Sequence, residues 1–276
     1  SDRLLETVIN ECLNFMQMRK SVQNLKVIAN IKLNDDHHLL QLHTPDQLEN
    51  IVPGQFANIL VDQSQSIFLR RPFSIHAVDY QKNIISILIK EVGGGTRSLA
   101  HVSVDSFLNV IFPLGNGFTI PSSKEKVLLV GGGCGVAPLL YLAQVLSHEV
   151  INVNILLGAR SSVDLVELEQ YALHGKVFTT TEDGSHGEKG FVTDHTIFGA
   201  KLDSFSKIYC CGPEPMMKAV ASKAKANSLW CEVSLENTMA CGFGVCLCCV
   251  TETIQGHKCV CTDGPVFNIN QLKWQI

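Results

Sequence analysis

Val127-Leu128-Leu129-Val130-Gly131-Gly132-Gly133-Cys134-Gly135-Val136-Ala137-Pro138 is the stretch on which the reading of this chain turns. Four apolar residues in a row, without alternation, describe a strand buried on both faces, as in parallel sheets. The glycines then make a tight turn. Pro138 suits the first turn of a helix carrying Leu139, Leu140, Leu142, Ala143 and Leu146 on its apolar side. Strand, glycine turn and helix in this order present backbone N–H groups to a pyrophosphate. Gly131 and Gly133 take the first two places of the dinucleotide fingerprint, but Val136 stands where its third glycine belongs. The motif alone is therefore weak.

The residues downstream strengthen it. Residues 153–157 read as a second buried strand, ending in Gly158-Ala159-Arg160-Ser161, and 177–181 read as a third. Residues 207–211 form a fourth, closed by Gly212-Pro213 and followed by a helix over 214–226. Strands alternating with helices predict a doubly wound parallel sheet, whose ligands sit at the carboxyl ends of its strands. No acidic residue clearly takes the ribose-binding place after the second strand, and Arg160 and Ser161 suit a 2′-phosphate. NADH against NADPH stays open.

Upstream the texture differs. Residues 26–33, 39–43, 57–61, 67–69, 84–90 and 107–112 are short β-prone runs between breakers such as Pro45, Pro53-Gly54 and Gly93-Gly94-Gly95. This predicts an antiparallel barrel or sandwich over residues 25–122. In Arg70-Arg71-Pro72-Phe73-Ser74-Ile75, Arg71 suits a phosphate and Ser74 a ring nitrogen, on a strand stiffened by proline. Two solvated arginines on an edge strand are the bland alternative. Gly93-Gly94-Gly95-Thr96 leads into a short helical pattern, either an anion site or a flexible surface loop. Together the two stretches favour a phosphate-bearing cofactor. Residues 121–126 are polar and turn-rich and place a boundary, with a nucleotide domain over 123–230. Residues 2–20 read as an amphipathic packing or partner helix within a segment 1–24, with Asp2 as N-cap.

The last third, 231–276, contains Cys241, Cys246 and Cys249 at the spacing C-x4-C-x2-C, with a more distant fourth cysteine. That is the plant-type ligand spacing for a [2Fe-2S] cluster. Gly242 and Gly244 let the loop fold closely round an inorganic core. Zinc favours two short cysteine pairs, and Cys259-x-Cys261 makes a poor second one. With 11 cysteines, an odd number, and no secretory signal, a disulfide framework is weaker still. Cys248, Cys259 and Cys261 compete as fourth ligand. Cys261 is favoured because the turn Asp263-Gly264-Pro265 follows it. Cys12, Cys134, Cys210 and Cys231 read as small buried hydrophobes. A hairpin over 250–254 and 257–261 and the short run Val266-Phe267 are too little core to stand alone, so the cluster would help hold them.

Bulk properties narrow the classes. At 276 residues, 46% hydrophobic and 17% charged, the chain is globular and long enough for more than one domain. A net charge of −4 leaves no footprint for nucleic acid. No apolar run reaches the ~18 residues of a membrane span. Free cysteines without a targeting segment point to a reducing cytoplasm.

Arg71-Pro72-Phe73-Ser74, Gly131-Gly132-Gly133-x-Gly135-x-Ala137-Pro138 and Cys211-Gly212-Pro213 resemble the ferredoxin–NADP reductase superfamily. The cysteine loop, Pro113-Leu114-Gly115-Asn116-Gly117-Phe118 and Cys261-x-Asp263-Gly264-Pro265-Val266-Phe267 narrow the resemblance to the electron-transfer subunits of dihydroorotate dehydrogenase B. It covers residue 25 to the C-terminus. The resemblance implies FAD in the barrel, with Arg71, Pro72, Phe73 and Ser74 on the flavin strand, Ser74 toward the isoalloxazine. Leu88, Ile89 and Lys90 would line the next strand, and Gly95 and Thr96 would hold the FAD pyrophosphate. Gly132, Gly133 and Gly135 would receive NAD(P), with Cys211 near the nicotinamide. Cys241, Cys246, Cys249 and Cys261 would hold the cluster. It further implies a partner, an FMN-containing catalytic subunit that oxidises dihydroorotate in pyrimidine biosynthesis, assembled as a heterotetramer with two copies of each chain. The small subunit of an NADPH-linked ferredoxin or sulfide oxidoreductase shares this architecture. A zinc-stabilised interaction protein is the alternative from another class.

Overall fold

The computed structural model describes residues 20–61, 67–121, 124–149, 151–199 and 201–276. The helix expected over 2–20 lies outside them except for Lys20. The first unit comprises β1 (Ser21–Lys32), β2 (His37–His43), β3 (Phe56–Ile59), β4 (Arg71–Asp79), β5 (Ile84–Lys90), α1 (Gly94–Ala100) and β6 (Phe107–Leu114). The six strands close into a barrel in the order β1-β2-β5-β4-β3-β6, every pair antiparallel. Closure leaves no unpaired edge. Strand alternation sorts β5 cleanly. Ile85, Ile87 and Ile89 pack inside the barrel, while Leu88 joins a different apolar cluster beneath the second unit.

Two expected strands change. β1 starts at Ser21, well ahead of residue 26, because β6 pairs with it from Ser21 to Lys26. Residues 67–69 are not a strand: Phe68 is 86% exposed, and the ladder to β3 begins only at Arg71. β-prone residues stay irregular where no partner strand takes up their backbone groups.

The second unit continues with β7 (Lys126–Gly132), a tight turn (Gly133–Val136), α2 (Ala137–His148), β8 (Asn152–Ala159), α3 (Leu168–Ala172), β9 (Lys176–Thr181), β10 (Glu188–Lys189), β11 (Lys207–Cys211), α4 (Glu214–Ala226) and β12 (Trp230–Ser234). A hairpin, β13 (Val250–Thr253) and β14 (Gly256–Cys259), and β15 (Val266–Asn268) complete the chain. The large sheet runs β10-β9-β8-β7-β11-β12-β15, parallel except for β15. Strand order reverses at β7, so the ligand crevice opens at the carboxyl end of that strand.

A boundary at residue 231 would cut through this sheet. β12 pairs with β11 on one side and β15 on the other, and Cys249, Val260, Cys261 and Phe267 share one core with Leu128, Val130 and Cys210. The cysteine region is too small for a core of its own and borrows the sheet's. No helix among the described residues is long and apolar enough to cross a membrane.

His195 is 6% exposed, and its Nδ1 accepts the Ile197 N–H at 3.0 Å. Burial holds its imidazole below the usual 6.5, against the opposing pull of Glu188. The folded state therefore keeps it neutral. This part of the stability is intact above 6.5 and is lost as pH falls through that value, because the unfolded chain then binds the extra proton. Urea midpoints should drop between about pH 7.5 and about pH 5.5, and less steeply in His195→Gln, whose amide oxygen can still accept from Ile197.

Candidate functional site

Two clefts and one loop lie side by side. The first cleft, about 530 Å³, opens on the outer face of the barrel and is lined by Pro72, Phe73 and Ser74 of β4, Leu88 and Lys90 of β5, and Thr96. Its size suits a cofactor ring system. Ile89 does not face it, since alternation turns that side chain into the barrel core. Arg71 lies along its edge, its guanidinium crossing the turn so closely that a Cβ on Gly95 would come within 2.9 Å of the Arg71 Nε. Thr96 Oγ1 accepts the N–H groups of Val92 (2.9 Å) and Gly93 (3.0 Å), which fixes that turn. Arg70, by contrast, donates to Asn58 O and Asn109 O and staples strands. Arg71→Ala should therefore lower FAD retention by roughly ten- to a hundredfold, as for loss of a charge-assisted phosphate contact. Unchanged flavin content after gel filtration would remove Arg71 from the site.

The far wall of this cleft comes from the second unit: Cys134, Ala137, Glu236, Met239 and Pro265. Cys134, expected as a buried hydrophobe, is exposed here. Its thiol is still raised to about 11, by desolvation first and by Glu236 second, because protein crowds the cleft around it. Desolvation likewise raises the Glu236 carboxyl. The residue assigned to the nicotinamide, Cys211, is 1% exposed and packs in the core beneath the glycine turn. It lines neither cleft. Burial holds its thiol protonated, with Glu236 and Cys134 adding to the shift. The position of Cys134 inside the glycine turn was the available sequence signal. Glu236 had none.

The second cleft, about 460 Å³, lies over the ends of β7, β8 and β9 and is lined by Gly132, Gly133, Gly158, Arg160 and Met216, among others. Gly135 sits behind it. A Cβ there would stand 2.3 Å from Gly212 N and Cα, so the turn after β7 and the turn after β11 touch backbone to backbone. Tyr171 Oη donates to Val136 O at 2.7 Å, and His76 Nδ1 lies 2.7 Å from Ala137 O. His76 Nε2 also meets Glu167 Oε2 at 2.8 Å. Strand β4 is thus clamped to the first turn of α2. Lys90 lines both clefts and is the side chain they share.

The cysteine loop abuts the first cleft. Gly242 (φ +82), Gly244 (φ +87) and Leu247 (φ +54) curl its backbone through the left-handed region. The curl aims N–H groups at sulfur. Burial raises the Cys241 thiol, but N–H groups of Phe243, Cys246 and Val245 overcome that and bring it down to about 6. Cys249 Sγ accepts the Cys261 N–H at 3.4 Å. Cys261 is 1% exposed and is raised to about 12, by burial first and then by Cys249, against a Gly244 N–H that lowers it. Among the described residues no three side chains close on a single ion. Cysteine sulfurs along a loop lined with N–H donors suit a two-iron core, whose sulfurs take such hydrogen bonds. The motifs flanking this loop explain one another. A Cβ on Gly115 (φ +76) would meet Pro265 Cδ at 2.6 Å, and Asn116 Nδ2 donates to Thr262 O and Asp263 O. Asn58 Nδ2 donates to Cys241 O at 3.2 Å.

Comparison with known proteins agrees with this geometry. Residues 236–273 match the family described as the iron-sulfur cluster binding domain of dihydroorotate dehydrogenase B, and 129–222 match the oxidoreductase NAD-binding domain. The zinc alternative is set aside by the first match. Dihydroorotate dehydrogenase B (NAD(+)), electron transfer subunit, of Shouchella clausii is 37% identical over 92% of this chain and 99% of its own length. The subunit of the same name from Fusobacterium nucleatum is 35% identical over 89% and 96%. Among solved structures, the NADH-dependent reduced ferredoxin-NADP oxidoreductase superposes with a TM-score of 0.81 at 29% identity, covering 93% of this chain and 92% of that one. With relatives 35% and 37% identical over nearly their full length, this chain belongs to the family of electron-transfer subunits of dihydroorotate dehydrogenase B.

Proposed function

We propose that the chain carries electrons from a catalytic partner subunit to NAD along a line of three sites. Cys241, Cys246, Cys249 and Cys261 hold a [2Fe-2S] cluster, Arg71 to Ser74 with Leu88, Lys90, Gly95 and Thr96 hold FAD, and Gly132, Gly133 and Gly135 receive the nicotinamide nucleotide. The partner is read as the FMN-bearing subunit that oxidises dihydroorotate, two copies of each chain forming the assembly. The relatives' shared name supports a catalytic partner.

A bound flavin supplies what the route requires, since it exchanges single electrons with a cluster and a hydride with nicotinamide. The chain's residues do the rest. Ser74 offers a hydroxyl to the ring at the cleft floor. Lys90 stands between the two clefts. Cys134, held as a neutral thiol, walls the first cleft without adding charge. The His76 clamp keeps the flavin strand and the nucleotide turn in register.

One observation carries the reading. Met239 and Pro265, on either side of the cysteine loop in sequence, wall the same cleft as Ser74 and Leu88, and Lys90 joins that cleft to the next. The test is anaerobic purification with co-expressed partner, followed by flavin, iron and acid-labile sulfide analysis and by NADH bleaching of the flavin band. A folded sample holding neither iron nor flavin would sink it. The solved ferredoxin-NADP oxidoreductase keeps a second reading in view. A large second flavoprotein as partner, instead of an FMN-bearing barrel, would favour that one.

A further inference from the structure

Asn58 is a polar residue where packing asks for an apolar one. On β3, alternation turns Ala57 and Ile59 into the barrel core and leaves Phe56 and Asn58 on the outer face. There Phe56 and Leu114 join one apolar cluster with Cys249 and Cys261. Asn58 and Leu114 both press on Gly242, where a Cβ would come within 2.8 Å of Asn58 Nδ2 and 3.2 Å of Leu114 Cδ1. Asn58 itself is 0% exposed. Its Nδ2 donates to Cys241 O at 3.2 Å, which fixes the amide's orientation, since a flipped amide would set oxygen against oxygen. Among the described residues nothing donates to its Oδ1. A buried acceptor without a donor is costly, and an apolar residue of the same size would avoid that cost. Packing therefore does not account for Asn58. Its bond to the carbonyl of a cluster ligand does.

That bond lies between the two redox sites. β3 pairs with the flavin strand so that Asn58 stands opposite Pro72 and Phe56 opposite Ser74, and residues paired across an antiparallel ladder share a face. Phe56, Pro72 and Ser74 all line the first cleft. From beside them the Asn58 amide reaches the peptide that joins Cys241 to Gly242. In a planar trans peptide the N–H points opposite the carbonyl, so holding Cys241 O toward the barrel turns the Gly242 N–H away from it. Gly242 (φ +82) then begins the curl that brings the Phe243 N–H onto Cys241 Sγ at 3.5 Å. Hydrogen bonds to the sulfurs are a lever on a cluster's reduction potential, because they favour the reduced, more negative core. We propose that Asn58 is a positioning residue for the cluster: by tying the Cys241 carbonyl to the barrel it holds loop donors on the ligand sulfur and so raises the cluster's reduction potential. This deepens the cluster reading above and rests on it.

The test is a redox titration of the cluster, read by electron paramagnetic resonance, in the anaerobically purified protein with its co-expressed partner. Asn58→Leu, of similar size and without a donor, should keep FAD and iron. Its cluster should shift about tenfold toward the oxidised form, the scale of one hydrogen bond, which is about 59 mV more negative for one electron. The resonance of the reduced cluster should change with it. An iron-loaded variant with the native spectrum and a shift under about threefold overturns the proposal, and so does a shift in the opposite direction. Asn58→Ala, which removes the amide without adding bulk beside Gly242, is read in its place if leucine costs the sample its FAD or its iron. Loss of either group from both variants also overturns the proposal, since Asn58 would then build the fold and not tune the cluster. Native protein that binds no iron overturns the cluster reading itself, and the proposal with it.

Discussion

Cys261→Ser should strip iron and acid-labile sulfide to near background while leaving FAD in place; Cys259→Ser should leave both. The two residues are neighbours in sequence but not in environment. Cys261 is 1% exposed, its own N–H reaches Cys249 Sγ, and its sulfur receives the N–H of Gly244. It therefore belongs to the same curl of donors that serves Cys241. Cys259 instead gives its N–H to Asp263 Oδ2 at 2.9 Å, and its thiol is raised by desolvation first, then by Cys249 and Asp263. FAD should survive the loss because the residues that would grip it stand on β4, β5 and α1, across the cleft from the loop. Visible spectra before and after bleaching the flavin check both halves. Retained cluster in Cys261→Ser with loss in Cys259→Ser would move the fourth ligand.

Gly135→Ala should cut NADH reduction of the bound flavin by on the order of a hundredfold, the scale expected when reacting groups are displaced by about an ångström. The added methyl would stand 2.3 Å from Gly212 Cα and N, and both are backbone atoms that cannot rotate away. The turns after β7 and β11 must then part, and Gly132, Gly133 and Pro213 of these turns line the second cleft. Cluster and flavin content should be unchanged. Gly133→Ala makes the control for a pure backbone effect: its φ is +54, but a Cβ there meets nothing within 4 Å. It should cost far less. Stopped-flow bleaching of the flavin by NADH separates the two variants, and equal rates in native and Gly135→Ala protein would show that this contact does not set the nicotinamide's position.

The division between what could be read early and what could not follows the range of the forces involved. The buried run 127–130, its glycine turn and Pro138 announced β7, the turn and α2, because backbone sterics and hydrophobic burial act within a few residues. The helix Glu214–Ala226 was legible for the same reason. The run 67–69 was not, since a strand exists only when another strand pairs with it. Cys211 was placed near the nicotinamide by its motif, yet packing of the Gly135 turn over it put Cys134 at the surface instead. Ile89 was counted with Leu88 and Lys90, and alternation alone turned it into the barrel.

By itself the amino-acid order determined the classes of part: a β-barrel, a parallel nucleotide sheet, and a cysteine loop with iron–sulfur spacing. It also determined the family, through motifs short enough to be local. Tertiary structure alone decided how these parts serve one another. Gly115 receives Pro265, Asn58 braces the cysteine loop and Lys90 bridges two clefts. Each of these joins residues distant in sequence, and only packing in three dimensions fixes which partner a side chain meets.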